Sequence, residues 1–376
     1  MVNTSNFLTR TQLRKLFILL GSSLCLYLLL LLHTTYHPFN SLSEPQTKTQ
    51  HDISSGPSNE SPPSSPPSSS PIAIPPQKPR PKSPYCVAAF LGADYHGEDG
   101  DNDDADWYYV GARTLVYQLL HSPTTRFTDP VKTEPIPVII MVTKDVSESK
   151  RRRLEIDGAT VVEIEEVTAD FAIGEPRYAQ VLTKLRVFDP ELMPYEKVFL
   201  MDTDMVLTRP IDAIFQDEST RLSPVDRNYT GPDAEIAPLP ETFMFAATPE
   251  SLDRDHAYPF LDLERKQHYF NVGCMLFSPS KEIYNFYLSI LDHPDMFGHG
   301  WPEQDLLNYI HRLEGPMPWS RLHFSWYLNW PNINDIDGQM AIIHEKYWEQ
   351  TLNLAGRIAL SRVWEMQGYW IGKEGA

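Results

Sequence analysis

The sequence predicts an α/β domain with a mostly parallel central sheet covered by helices, preceded by one transmembrane helix and a disordered stem. Three observations carry this. Short apolar runs alternate with helical patterns from Tyr85 onward, an uncharged leucine-rich stretch lies near the N-terminus, and a Pro/Ser-rich segment separates the two. At 376 residues the chain can hold one large domain or two small ones, with ample core.

Leu16 to Leu32 carries no charge and follows Arg10, Arg14 and Lys15, while the first acid of the chain is Glu44. Seventeen residues is the short end of a spanning helix, and basic residues on its N-terminal side place that side in the cytoplasm. A cleaved signal peptide competes, yet the residues after Leu32 lack a small-x-small cleavage pattern. The expected order is a cytoplasmic tail over 1–15, an anchor over 16–32, a stem over 33–84 and a lumenal domain over 85–376. That is the layout of a single-pass type II membrane protein, which holds a catalytic or binding domain off the membrane. The stem is dominated by Pro, Ser, Gln and Lys and has almost nothing apolar to bury. Asn59-Glu-Ser and Asn228-Tyr-Thr are glycosylation sequons on the lumenal side. Cys86 and Cys274 sit in apolar strand-like runs and read as small core residues, with a disulfide between them left open.

The formal charge of −18 is uneven: residues 1–84 carry +4 and the remainder −22. So acidic a domain argues against nucleic acid, which demands a basic face. Gly97-Glu-Asp-Gly-Asp-Asn-Asp-Asp104 has the first spacing of a calcium loop, but Asp104 replaces its glycine and Val110 stands where its glutamate belongs. A solvated loop is the better reading. Arg151–Arg153 reads as the wet face of a short helix.

In chain order, Cys86–Leu91, Pro137–Val142, Thr160–Ile164 and Lys197–Met201 read as buried strands, with helical spacing at Trp107–Leu120, Ser147–Leu154 and Tyr178–Asp189. Strands are then expected at Phe243–Ala247, Gly273–Phe277 and Met340–Ile343, and helices at Lys281–Leu291 and Glu303–Leu313. No Gly-rich phosphate loop follows the first strand, so phosphate must be met by metal and side chains.

The most informative stretch is Val198-Phe-Leu-Met-Asp202-Thr-Asp204-Met-Val-Leu207, an apolar run that breaks into two acids and then resumes. Ligands of parallel sheets collect at the carboxyl ends of strands, and carboxylates there need a compensating charge. Hard oxygen ligands suit Mn2+ or Mg2+, and such an ion suits a diphosphate. A solvated acidic turn explains the apolar flanks poorly.

Three blocks resemble glycosyltransferase family 8, the glycogenin-like enzymes with a GT-A fold. They are Leu182-Thr-Lys184-Leu-Arg186 leading into Asp202-Thr-Asp204, Phe270-Asn271-Val-Gly273, and Pro302-Glu303-Gln304-Asp-Leu-Leu-Asn308. The resemblance runs over Tyr85 to Trp348, and the anchor and the Glu-Gln-Asp version are most similar to fungal Golgi α-N-acetylglucosaminyltransferases. It implies retaining transfer from a UDP-sugar with Mn2+ or Mg2+, held by Asp202, Asp204 and a late histidine, His344. Lys184 would meet the donor's diphosphate or sugar, Tyr108 would stack on uracil, and Lys346 would meet a phosphate. Asn271 and Gln304 would bind sugar hydroxyls, with Gln304 on the reacting side during same-face attack, and Glu303 stands at the catalytic position where glycogenin has Asp, keeping the charge but lengthening the reach. Lys346 departs from the family's longer Gly-x-x-Lys-Pro-Trp pattern, and a core His344, a solvated Lys184 and a merely packed Tyr108 stay open. Trp326, Tyr327 and Trp330 are expected to line the acceptor side, the acceptor being an external glycan or glycoprotein. Competing classes are an inactive lumenal carbohydrate-binding protein and a sugar-nucleotide hydrolase. The latter should add a water-activating base that nothing here marks.

The expected topology has a direct test. Protease treatment of intact microsomes should leave residues 85–376 protected and Asn228 glycosylated, whereas digestion of the domain without detergent refutes the orientation.

Overall fold

The computed structural model describes residues 83–93, 106–128, 135–173, 178, 180–261, 268–349 and 353–375. All fall within one compact unit, Pro76–Ala376. The expected tail, the anchor at 16–32, the stem up to residue 82, the sequon at Asn59 and the acidic stretch at 97–104 lie outside the described residues. Among the described residues no helix is long and apolar enough to cross a membrane.

Apolar runs make the centre of the sheet, because strands covered on both faces have no solvent side to mark with polar residues. These are β1 (Tyr85–Leu91), β2 (Val138–Val142) and β4 (Lys197–Met201); β3 (Thr160–Glu163), expected as a buried strand, is instead a sheet edge with both its end residues exposed. Past the Asp-Thr-Asp turn follow β5 (Met205–Leu207), β6 (Ser223–Pro224), β7 (Thr242–Phe243), β8 (Phe245–Pro249) and β9 (Phe270–Phe277). Three short strands complete the set: β10 (Ser320–Arg321), β11 (Tyr327–Asn329) and β12 (Ile342–His344). The main sheet runs β10-β8-β9-β4-β1-β2-β3, with β9 antiparallel to both neighbours and every other pair parallel. A second sheet, β11-β12-β5, stands at the carboxyl end of β4. The expected α/β architecture with a mostly parallel sheet is therefore observed.

Successive residues of a strand face opposite sides, so Val87 and Ala89 meet one layer while Cys86 and Ala88 meet the other. The first layer is α1 (Trp107–Leu120), whose N-cap Asp106 accepts from the Tyr109 N–H at 3.0 Å. The short α2 (Glu148–Asp157) adds Leu154 to it and ends at Gly158 with φ 109°. The opposite layer is α4 (Lys281–Leu291) and α5 (Pro302–Ile310), which bury Phe286 and Leu306. The one-turn α3 (Asp233–Ile236) and α6 (Ile333–Asp337) sit in connections. A 21-residue helix, α7 (Leu354–Glu374), packs Val363, Met366 and Trp370 on Val110 and Tyr117 of α1.

Several expectations shift. The segment expected as a helix over 178–189 is a 3-10 turn, Val181–Phe188, with no side-chain N-cap and stopped by Asp189-Pro190. The run at 243–247 is two strands: β7 pairs with β6, and β8 joins the main sheet. The helix at 303–313 stops at Ile310, and β12 extends through His344. Of the three arginines, only Arg152 is fully exposed. Arg151 donates to the carbonyls of Val146 and Thr143, and Arg153 pairs with buried Asp157. Neither β5 nor α7 is marked in the sequence: three residues carry no period, and Gly356, Gly368 and Gly372 dilute the helical signal. Cys86 and Cys274 are free and buried.

Helix α1 touches the Asp-Thr-Asp turn through Gly111, where an added Cβ would lie 2.7 Å from the Thr203 carbonyl oxygen. Gly111→Val should therefore lower stability by about 1–3 kcal/mol by forcing helix and turn apart. Urea unfolding of variant and wild type measures this, and equal midpoints would contradict it.

Candidate functional site

The site follows from where β4 stops. Met201 is the last buried residue of the strand, and the chain then turns through Asp202, Thr203 and Asp204 before resuming as β5. The turn is fixed on two sides. The Asp202 N–H donates to the Gly273 carbonyl at 2.8 Å, and Gln118 of α1 bonds both the Met205 carbonyl (3.1 Å) and the Leu207 N–H (2.8 Å). Strand β12 runs antiparallel to β5 with His344 opposite Met205, so the imidazole lands beside Asp204, with Nε2 3.0 Å from Oδ1. One ligand atom each from Asp202, Asp204 and His344 lies within 4.8 Å of the others. Two carboxylate oxygens and an imidazole nitrogen are a donor set suited to Mn2+ or Mg2+, and half-buried Asp202 and His344 leave an open side toward the cleft.

The charges explain one another. Burial pushes the Asp204 carboxyl up, but the charge and hydrogen bond of His344, followed by Lys346, outweigh it and hold the group below the usual carboxylate range. Burial pushes His344 down, and the Asp204 carboxylate more than reverses this, so the imidazole sits above its ordinary value. Lys184, on the buried 3-10 turn, reaches Asp202 Oδ1 at 2.7 Å and Glu303 Oε1 at 3.1 Å. Burial opposes its charge, yet the two carboxylates hold it above the normal lysine range. Lys184 thus neutralises one oxygen of Asp202 and ties the turn to α5.

The Phe-Asn-x-Gly and Glu-Gln-Asp blocks meet at a register shift between Ala247 and Thr248, where the pairing of β8 with β9 jumps from Met275 to Asn271 and skips the residues between. The freed Val272 N–H donates to Gln304 Oε1 (3.1 Å) and the Phe270 N–H to Asn308 Oδ1 (2.8 Å). Gln304 and Asn308 thus satisfy backbone as well as line or support the cleft. Glu250, just past the end of β8, accepts from Asn271 Nδ2 (2.8 Å), Gln304 Nε2 (3.1 Å) and Asn329 Nδ2. Burial raises its carboxyl despite these three donors. The sequence reading missed Glu250. An acid directly after the buried Ala-Ala-Thr-Pro run repeats the strand-end signal of Asp202.

One cleft of about 320 Å3 brings together Asp202, Asp204, His344, Lys184, Asn271, Glu303, Gln304, Tyr108 and Lys346. Tyr108 packs edge-on against Trp348 at 5.0 Å, and Lys346 lies 3.9 Å from Glu349. The expected aromatic wall divides. Trp330 lines the cleft, 47% exposed, with the Arg254 guanidinium 5.4 Å from its ring centre. Trp326 and Tyr327 do not line it: they are 8% and 1% exposed. The Trp326 indole donates to Asp217 at 2.7 Å, and the Tyr327 hydroxyl is engaged by Asn271 and His344. Tyr327, on β11, is turned toward β9 and β12, while Trp326, just before that strand, is turned onto Asp217. The open aromatic facing Trp330's cleft is instead Trp301, 53% exposed before α5.

A metal must take the nitrogen that a proton otherwise occupies. His344, raised above its ordinary value by Asp204, is protonated at acid pH and releases that proton as pH rises. Mn2+ affinity should therefore climb with pH, roughly tenfold per unit below the His344 pKa and level above it. Calorimetric titration across pH 5–8 checks this, and an affinity independent of pH would contradict it.

No protein-family model matches this chain. Two uncharacterized proteins of Schizosaccharomyces pombe are similar to it. They are 29% and 28% identical over 273 and 270 residues, 65% of this chain in each case and 69% and 70% of theirs. Galactinol synthase 1 of Solanum lycopersicum is 25% identical over 198 residues, 49% of this chain and 54% of that protein. Among solved structures, an active-site mutant of LgtC shares 13% identity at a TM-score of 0.46, covering 75% of this chain and 95% of that one. The bifunctional glycosyltransferase WbbM shares 14% at 0.45, covering 78% and 52%. These are remote likenesses, and none assigns a role to a residue of this chain.

Proposed function

We propose that this chain is a retaining, metal-dependent glycosyltransferase. It moves a sugar, GlcNAc or glucose, from a UDP-sugar to an external glycan or glycoprotein acceptor. The observation that carries the reading is the convergence of Asp202, Asp204 and His344 at a cleft also lined by a buried lysine and two fixed amides. The resemblance of the three sequence blocks to family 8 and the likeness to a galactinol synthase support it. The uncharged run at 16–32 and the stem support a single-pass type II arrangement in the Golgi membrane, with the domain in the lumen.

A divalent cation held by Asp202, Asp204 and His344 would offset the charge that develops on the departing diphosphate. Asp204, kept ionised by His344, holds that position, and Asp202 shares it while its other contact runs to Lys184. Tyr108 offers a ring edge or face to the uracil side, and Lys346 a cation to the phosphates. Gln304 is bonded at both ends of its amide, to Val272 and Glu250, so it presents a rigid polar edge to the sugar rather than a mobile one. Trp301 and Trp330 supply the open aromatic faces on which an acceptor ring can pack.

The full-length chain in detergent, screened against UDP-sugars with Mn2+, should release UDP with one donor and an acceptor glycan. Asp204→Asn should cost on the order of a hundredfold or more while the thermal midpoint stays close to wild type. Undiminished transfer by that variant in a chelator would refute the metal mechanism. Because the Tyr327 hydroxyl is buried, incubation with labelled donor alone should leave Tyr327 unmodified, and stoichiometric label there would instead indicate self-priming.

A further inference from the structure

Tyr327 is 1% exposed and outside the cleft, yet its hydroxyl lies 2.5 Å from Asn271 Oδ1 and 2.9 Å from His344 Nδ1. The direction of every proton in this chain of contacts can be worked out. The Gly273 N–H is a donor by necessity, and it points at the Asn271 side chain from 2.8 Å, so the atom it meets is the amide oxygen. The other end of that amide, Nδ2, donates to Glu250 at 2.8 Å, which agrees. The tyrosine hydroxyl, meeting the same amide oxygen, must spend its single proton there. What remains toward His344 is a lone pair, so Nδ1 must carry hydrogen. Without metal Nε2 also carries hydrogen, donated to Asp204 Oδ1 at 3.0 Å; because Nδ1 keeps its own proton toward Tyr327, the proton that an arriving ion displaces is the one on Nε2.

We infer that Tyr327 is a positioning residue that fixes the tautomer and ring orientation of His344, so that Nε2 is presented as the metal ligand. The inference rests on the metal-dependent reading above. A backbone donor at Gly273 thereby sets, through Asn271 and Tyr327, which nitrogen of a histidine seventeen residues beyond Tyr327 is available. The relay also accounts for the glycine: a Cβ at Gly273 would lie 2.7 Å from Tyr327 Oη and 2.8 Å from Asn271 Oδ1. Groups bonded to the far nitrogen of a metal-binding histidine commonly govern affinity, because they hold the ring and the tautomer that the ion requires.

Tyr327→Phe keeps the ring and removes the acceptor, leaving a buried Nδ1–H without a partner and the imidazole free to adopt the wrong tautomer. In calorimetric titration of the full chain with Mn2+ and no donor, the variant should bind about 10- to 100-fold more weakly, with a thermal midpoint near wild type. Equal affinities in variant and wild type would overturn this inference alone. Absence of Mn2+ binding by the wild type would overturn the metal reading with it. A measurement independent of the variant's folding is the two-bond proton–nitrogen spectrum of Mg2+-loaded, histidine-labelled wild type. His344 should show the Nδ1–H pattern, and an Nε2–H pattern would overturn the assignment.

Discussion

The pairing of β12 with β5 is the constraint from which the site follows. Only three residues of each strand take part, yet the antiparallel register sets His344 against Met205, one position from Asp204. A slip of one residue would turn His344 to the other face of the small sheet and leave Asp204 buried with a single distant lysine as counter-charge. The same register is held from outside by Gln118, whose side chain takes the place of a neighbouring strand along β5. A short sheet that would be marginal by itself thus inherits its rigidity from α1 and from the end of β4.

Around this point the fold uses side chains where a regular sheet would use backbone. The register shift of β8 opens a gap beside the first half of β9, and amides from α5 close it. Glu250 gathers three amide donors in that gap, so this side of the cleft is a network with its partners assigned rather than a set of loose polar groups. Lys184 plays the corresponding part on the other side of the cleft, joining the turn to α5 through two carboxylates.

Much of this was legible in the sequence, for identifiable reasons. Strands β1, β2 and β4 are continuous apolar runs in the middle of the sheet, and burial on both faces gives such runs no ambiguity of period. Asp202 and Asp204 stood out because acids between apolar flanks are costly without a partner, and His344 because the family resemblance implies a late histidine and this one follows a short apolar run. What stayed hidden depends on contacts distant in sequence. Nothing local distinguishes Trp330, which opens on the cleft, from Trp326, which is turned onto Asp217. Val181–Phe188 has the apolar spacing of a helix, but it lacks a cap and ends at a proline, and the 3-10 form carries its lysine to the site equally well. Glu250 was missed because its role is created by amides contributed from β9, α5 and β11.

The long C-terminal helix contributes no residue to the cleft, yet it packs along the outer side of α1, burying Met366 and Trp370 against that helix. Helix α1 presses in turn on Thr203 through Gly111 and grips β5 through Gln118. Helix α7 is therefore a buttress at one remove: it backs α1, and α1 in turn backs the turn that carries the acids at 202 and 204.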